Sequence, residues 1–181
     1  MTPAPDERLL ERIGALRVET PSWAYGNSGT RFKVFAQPGA ARTIEEKLAD
    51  AGAVHRLTGV CPTVAIHVPW DRVADWAALR QAAAGHGVAI GAVNPNLFQD
   101  DEYRLGSLCH PDAAVRRRAI DHVLECAEIA CAVGSDIVSL WLADGTNYPG
   151  QDDLRARRRR LVEGLREIYL ALAPGVRLLV E

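Results

Sequence analysis

Residues 88–93 read Val-Ala-Ile-Gly-Ala-Val, a run that is apolar at every position. An antiparallel strand usually alternates apolar and polar residues, whereas a parallel strand is covered on both faces and is apolar throughout. The run therefore predicts a buried strand of a parallel sheet. A helix is expected before it, over residues 71–84 and ending at Gly85, and a long helix after it, over residues 112–133.

The same alternation extends along the chain in both directions. Further strands are predicted at residues 63–68, 136–141 and 176–181, and an extended segment is predicted at residues 17–23. Strands that alternate with amphipathic helices indicate a parallel α/β architecture.

Helix ends are marked by local signals. Thr43 and Glu46 form a capping-box pattern, which predicts a helix that ends near Gly52, where a glycine can take the left-handed conformation. Gly134 closes the long helix in the same way. The apolar stripe of that long helix consists of Val115, Ala119, Val123, Ala127 and Ala130.

The fold that fits this pattern is a TIM (β/α)8 barrel, and residues 1–181 would form one domain with about the first four and a half β/α units. Eight strands close such a barrel, and about five are predicted here. An open doubly wound sheet has the same alternation and is the alternative. Against it, no Gly-x-Gly-x-x-Gly or P-loop motif follows the first strand. Polar residues also recur at several strand ends, where barrels hold their active sites.

Composition limits the classes of partner. The chain has 181 residues, 48% of them hydrophobic, which is enough for a sizeable core. Because 21 basic residues nearly balance 23 acidic ones, charge favours neither nucleic acid nor a membrane, and a small molecule is expected. No apolar run approaches the ~20 residues that cross a bilayer. The four cysteines lack Cys-x-x-Cys spacing and no signal peptide is visible, which predicts a cytoplasmic protein.

Several strand ends carry residues that suit a binding or catalytic site. His67 ends the second strand, and an imidazole there either exchanges protons near neutral pH or is a hydrogen-bonded core residue. Asn94 and Asn96 follow the third strand, where asparagine commonly serves a turn. Trp141 ends the fourth strand and is either core packing or an apolar wall for a sugar-sized substrate.

Glu181 directly follows the apolar run at residues 178–180, so it does not fill a core and lies where barrel enzymes place metal ligands. A solvated chain end is the other interpretation. Hard divalent cations take several oxygen ligands, so any metal site is expected to be completed by residues beyond this chain. A solvated helix face is predicted for residues 155–160. The histidines predicted to be surface or capping groups are His55, His86, His110 and His122.

Five segments form a specific pattern when taken together. They are Pro-Ser-Trp-Ala-Tyr-Gly-Asn-Ser-Gly-Thr-Arg-Phe at residues 21–32, Ala-Ile-His-Val-Pro-Trp-Asp at 65–71, Asn-Pro-Asn-Leu-Phe at 94–98, Leu-Trp-Leu-Ala-Asp-Gly-Thr-Asn-Tyr-Pro-Gly-Gln at 140–151 and Leu-Leu-Val-Glu at 178–181. Their order and spacing resemble the bacterial L-rhamnose isomerases of broad sugar specificity. The resemblance covers nearly the whole chain.

The resemblance implies a metal-dependent isomerase of carbohydrate metabolism that interconverts aldoses and ketoses, such as L-rhamnose and L-rhamnulose. In that family a divalent pair, usually Mn²⁺, binds the oxygens of the open-chain sugar and assists a hydride shift between C1 and C2. A homo-oligomer, such as a homotetramer, is also implied.

The resemblance also implies roles for individual residues at positions that match the family's site. Glu181 matches the first metal-ligating carboxylate, and His67 matches a histidine near the sugar ring oxygen that is suited to ring opening. Phe32 matches a residue on a loop that reaches the pocket of the neighbouring subunit. The residues that match apolar lining of the substrate pocket are Trp23, Phe98 and Trp141.

The sequence departs from the family in one respect. The remaining metal ligands of the family, two aspartates and a histidine, and a catalytic-site lysine all follow the position that matches Glu181. We therefore expect the 181-residue chain alone to have little or no isomerase activity. Within the isomerases, a xylose isomerase-like or sugar-phosphate epimerase-like specificity is the runner-up. A non-catalytic sugar-binding or assembly module is the alternative from another functional class.

Overall fold

The computed structural model describes residues 6–28, 35–142 and 152–181. The helices are α1 (Glu7–Gly14), α2 (Ile44–Thr58), α3 (Trp76–Gly85), α4 (Ala113–Val133) and α5 (Leu154–Ala171). The strands are β1 (Glu19–Pro21), β2 (Thr63–Val68), β3 (Ala89–Pro95), β4 (Ile137–Leu140) and β5 (Arg177–Val180). Two short 3₁₀ helices are Ser22–Ala24 and Asp101–Leu105.

The five strands form one parallel sheet in sequence order, β1-β2-β3-β4-β5. A doubly wound sheet reverses its strand order at a switch point, and the described strands show no such reversal. The predicted α/β fold, a partial TIM barrel with about five strands, is therefore confirmed, and the doubly wound alternative is not.

The core lies between the sheet and the helices that cover it, and α4 occupies its centre. This helix packs against β3, β4, α3 and α5. Four of the five residues in its predicted apolar stripe are buried, and Val115 is partly buried against the same core. The fully buried residues include Leu48, Ile66, Val93, Val123, Val138 and Leu140.

Helix α2 differs from the prediction at its C-terminus. It continues past Gly52 to Thr58, and Gly59 takes the left-handed conformation with φ 72°. Gly52 instead lies in close contact with the end of α3, because a Cβ there would lie 2.5 Å from the carbonyl oxygen of His86. Small size, rather than backbone freedom, is what this position requires.

Helix α3 begins later than predicted, at Trp76, because the Asp75 side chain caps it by accepting the Ala78 N–H at 2.9 Å. The predicted first residue, Asp71, is 2% exposed and instead forms a buried ion pair with Lys47.

The solvated face predicted for residues 155–160 is wrong for two arginines. Arg157 is buried and donates a hydrogen bond to the Leu105 carbonyl oxygen at 2.8 Å. Arg160 donates to the Cys109 carbonyl oxygen at 2.8 Å. Both side chains therefore attach α5 to the segment that precedes α4.

In the part of the chain that the structure describes, no helix combines the length and apolarity needed to span a membrane. The cysteines Cys61, Cys109, Cys126 and Cys131 are all free thiols.

Candidate functional site

A pocket of about 450 Å³ opens at the carboxyl ends of the strands. Its size is typical of small-molecule sites, which enclose roughly 300–1,000 Å³. Every strand contributes to the inner wall, where Glu19 and Ile137 lie beside one residue nearer the carboxyl end of each strand: Pro21, Ala65, Ala92, Ser139 and Leu179. Because alternate residues of a strand face the same side, the residues two positions further on also line the pocket. These are Trp23, His67, Asn94, Trp141 and Glu181.

The structure therefore brings together most of the predicted site residues. Four of them follow the alternation just described, and Phe98 lines the same pocket from the segment after β3. Phe32 lies outside the described residues. The roles assigned to these side chains remain predictions.

Aromatic rings form one wall of the pocket, with the His67 imidazole at its centre. The imidazole stacks on the Trp70 ring at a centroid distance of 3.8 Å. Trp23 and Phe98 each form a T-shaped contact with it, at centroid distances of 5.5 and 5.7 Å. Phe98 in turn contacts Trp141 edge to face at 4.8 Å. A continuous aromatic surface of this kind suits the apolar C–H face of a sugar ring.

His67 is 5% exposed, and burial lowers its pKa from the usual 6.5 to about 4. The nearby Asp71 carboxylate acts in the opposite direction, while His122 and Lys47 reinforce the lowering. The imidazole is therefore neutral near pH 7, with one donor and one acceptor nitrogen. Its Nδ1 is buried and has no hydrogen-bond partner among the described residues.

The lowered pKa of His67 predicts loss of stability in acid. Between pH 6.5 and 4 the unfolded chain binds the proton that the folded chain excludes, so the free energy of unfolding falls as the pH falls. A difference of this size corresponds to about 3 kcal/mol. Urea unfolding of the wild type and of His67→Gln between pH 7.5 and 4.5 measures this contribution. The variant should lose less stability than the wild type, and equal losses would contradict the prediction.

A buried ion pair holds the segment that carries His67. The Lys47 Nζ from α2 lies 2.6 Å from Asp71 Oδ1, and both side chains are almost fully buried. The other carboxylate oxygen, Asp71 Oδ2, accepts the backbone N–H of His67 at 2.8 Å and the hydroxyl of Ser22. Since Ser22 precedes Trp23, this one carboxylate connects α2 to the backbone beside two pocket residues.

The pocket has a carboxylate at its β5 side. Glu181 keeps its backbone N–H paired with the Leu140 carbonyl oxygen at 2.9 Å, and its Oε1 accepts a hydrogen bond from the buried Ser139 hydroxyl at 3.2 Å. A carboxylate is the oxygen donor that hard divalent cations prefer, so Glu181 fits one ligand position. Within residues 6–28, 35–142 and 152–181, no three His, Cys, Asp or Glu side chains are grouped to hold a metal ion.

Sequence reasoning did not identify several residues around the site. Trp70 and Asp71 lie in segment 65–71, just after the strand-end residue His67. Their position close to a candidate site residue could have identified them as part of the site. His122 was predicted to be a surface or capping group, but it is half-buried and its Nε2 lies 3.3 Å from the Val68 carbonyl oxygen. Lys47 gave no signal, because a lysine within a helix is usually solvated.

Comparison with known proteins adds family information to this geometry. Residues 46–181 match the family model of the xylose isomerase-like TIM barrel. The chain is 39% identical over 180 residues to a probable sugar isomerase of Rhizobium meliloti, and 38% identical over 180 residues to one of Mesorhizobium japonicum. Each match covers 97% of this chain but 42% of the relative. The chain thus spans less than half the length of these curated relatives.

Among solved structures, the chain is similar to L-ribulose 3-epimerase, with a TM-score of 0.62 and 19% sequence identity. The match covers 90% of this chain and 48% of the epimerase chain. At this identity the similarity supports the fold alone.

Proposed function

Because this chain belongs to the xylose isomerase-like TIM barrel family, we propose that it forms the substrate-binding part of a metal-dependent sugar isomerase. The proposed reaction interconverts an aldose and a ketose, with L-rhamnose and L-rhamnulose as the first pair to test. The observation that carries the proposal is the pocket at the strand ends, which is lined by an aromatic wall around a neutral histidine and by the Glu181 carboxylate.

The aromatic wall would bind the sugar. Trp23, Phe98 and Trp141 line the pocket and offer apolar area to a sugar ring, while Asn94 and His67 offer polar atoms. Trp141 is 38% exposed, so its ring remains available to a ligand. Such a pocket, largely apolar with a few polar groups, orients a small polar molecule.

His67 would assist the opening of the sugar ring. Ring opening removes a proton from the anomeric hydroxyl, breaks the bond between C1 and the ring oxygen, and delivers a proton to that oxygen. A neutral imidazole can accept the first proton, and the imidazolium that results can return it to the ring oxygen. The lowered pKa of His67 keeps the accepting form populated at neutral pH.

Glu181 would be one metal ligand in the complete site. Its carboxylate lies at the end of β5, and Ser139 restricts its orientation through the 3.2 Å hydrogen bond. The metal, when bound, would polarise the sugar oxygens near C1 and C2. The other ligands would come from residues outside the described part of this chain.

The decisive experiment is an assay of L-rhamnose conversion to L-rhamnulose with and without Mn²⁺. It compares the 181-residue chain with the polypeptide encoded by the complete reading frame, whatever its length. We expect Mn²⁺-dependent conversion by the polypeptide with the full ligand set, and little by the 181-residue chain, whose described residues contain no group of three metal-ligating side chains. Conversion of no aldose by either polypeptide would overturn the proposal.

Two related outcomes have distinct readouts in the same assay. Inversion of a ketose at C3 without aldose formation would assign the chain to the epimerases of the superfamily. Sugar binding without turnover, in the presence of Mn²⁺, would assign a non-catalytic binding module.

A further inference from the structure

Strand β3 contains an irregularity that decides which of its residues face the pocket. Its pairing with β2 runs Val64 to Ile90 and then Ile66 to Val93, so two residues of β3 lie opposite the single residue Ala65. Ile90 and Val93 are both buried in the core, although residues three apart in a regular strand face opposite sides. A β-bulge at residues 91–92 accounts for both observations.

The bulge determines the position of Asn94. In a regular strand with Ile90 in the core, Asn94 would also face the core, and Val93 would face the pocket. With the bulge, Val93 is fully buried and Asn94 lines the pocket. The Asn94 side-chain amide is held there by donating to the Ile66 carbonyl oxygen at 3.0 Å.

A carboxylate from β1 satisfies the backbone at the bulge. The Ala92 N–H lies 3.1 Å from Glu19 Oε2 and 3.2 Å from Glu19 Oε1. Glu19 lies two strands away and pairs in register with Thr63 of β2, so its side chain reaches across the inner face of β2 to the bulge. A charged acceptor makes a stronger bond to a backbone N–H than a neutral one does.

Gly91 provides the space that this contact needs. A Cβ at position 91 would lie 1.4 Å from Glu19 Oε2 and 2.4 Å from its carboxyl carbon. Both atoms would be inside van der Waals contact, so any larger residue would displace the carboxylate. The position of the Glu19 carboxylate therefore requires a glycine at residue 91.

We propose that Glu19 is a positioning residue of the pocket, which holds the β3 bulge through the Ala92 N–H and thereby presents Asn94 to the sugar. The inference deepens the proposed function and relies on it only for the identity of the ligand. Its structural content concerns the Ala92 amide and the Asn94 side chain, which can be observed without any turnover.

The test is a double-mutant comparison read by NMR on the 181-residue chain. In Glu19→Ala, exchange of the Ala92 amide hydrogen should accelerate about tenfold or more, and the Asn94 side-chain amide resonances should shift. Gly91→Ala should produce the same two changes by displacing the carboxylate. Both variants break the same contact. The loss of Ala92 protection in the double variant, expressed as a free energy, should therefore be clearly less than the sum of the two single losses.

Matched variants separate this role from a general loss of stability. Glu19→Gln keeps one acceptor oxygen and should retain most of the Ala92 protection, whereas Glu128→Ala, on the exposed face of α4, should change neither reporter. Unchanged Ala92 exchange in Glu19→Ala, or strictly additive effects, would overturn the inference. If Glu19→Ala does not fold, Glu19→Gln and Gly91→Ala still decide between the outcomes. Absence of isomerase activity would count against the proposed function and leave these NMR results to stand.

Discussion

Replacement of Asp71 with alanine is expected to lower the free energy of unfolding by about 3–5 kcal/mol. The variant leaves Lys47 Nζ as an unpaired charge in a nearly fully buried position, where its partner oxygen lay at 2.6 Å. It also removes the acceptor for the Ser22 hydroxyl and for the His67 N–H. A buried charge that has lost its partner is far more costly than a missing surface pair.

Urea unfolding followed by circular dichroism measures this effect. Asp136→Ala is the matched control, because its ion pair with Arg177 is mostly exposed and should contribute less than about 1 kcal/mol. Adding Lys47→Met to Asp71→Ala should recover part of the loss, since the unpaired charge is then gone. An Asp71→Ala variant within 1 kcal/mol of the wild type would show that the pair is not a main support of this segment.

The largest effect on catalysis is expected at His67. In the polypeptide that carries the proposed isomerase activity, His67→Asn should lower kcat/KM by about 10²–10⁴-fold, the usual contribution of a general acid–base group. Asparagine keeps a polar side chain but cannot accept and return a proton. If ring opening is the step that His67 assists, the variant should lose much less activity towards an open-chain substrate analogue, which needs no ring opening.

His86→Asn is the control for this substitution. His86 follows α3 and precedes β3, so it lies at the amino ends of the strands, opposite the pocket. Its replacement should leave kcat/KM within about threefold of the wild type. If His67→Asn behaved like His86→Asn, His67 would have to be a packing residue of the aromatic wall.

The strands could be predicted because their signal is local. The run at residues 63–68 became β2 without change, and the alternation within it placed Ala65 and His67 on the pocket side. The position of Glu181 outside the core could also be predicted, since a carboxylate after an apolar strand needs a polar environment. These features depend on residues close together in sequence.

The features that could not be predicted depend on pairs that are distant in sequence. Gly52 and Gly59 are equally plausible helix ends until His86 is known to pack against the first. Nothing near Lys47 indicates that its ammonium group reaches Asp71. Gly91 is a local sign of the bulge, because a glycine within a strand often marks one, but nothing near it indicates that the Glu19 carboxylate reaches the Ala92 N–H.

The aromatic wall also allows the pocket to be followed by intrinsic tryptophan fluorescence. Of the chain's four tryptophans, Trp23, Trp70 and Trp141 line the pocket, and Trp76 lies in α3. A sugar that displaces water from these indoles should change the intensity and wavelength of their fluorescence, with no label attached. Since a protonated imidazole quenches a stacked indole, the 3.8 Å contact between His67 and Trp70 should also dim the emission as acid protonates His67. The same side chains that would hold the substrate thus serve as an internal optical sensor of both occupancy and protonation.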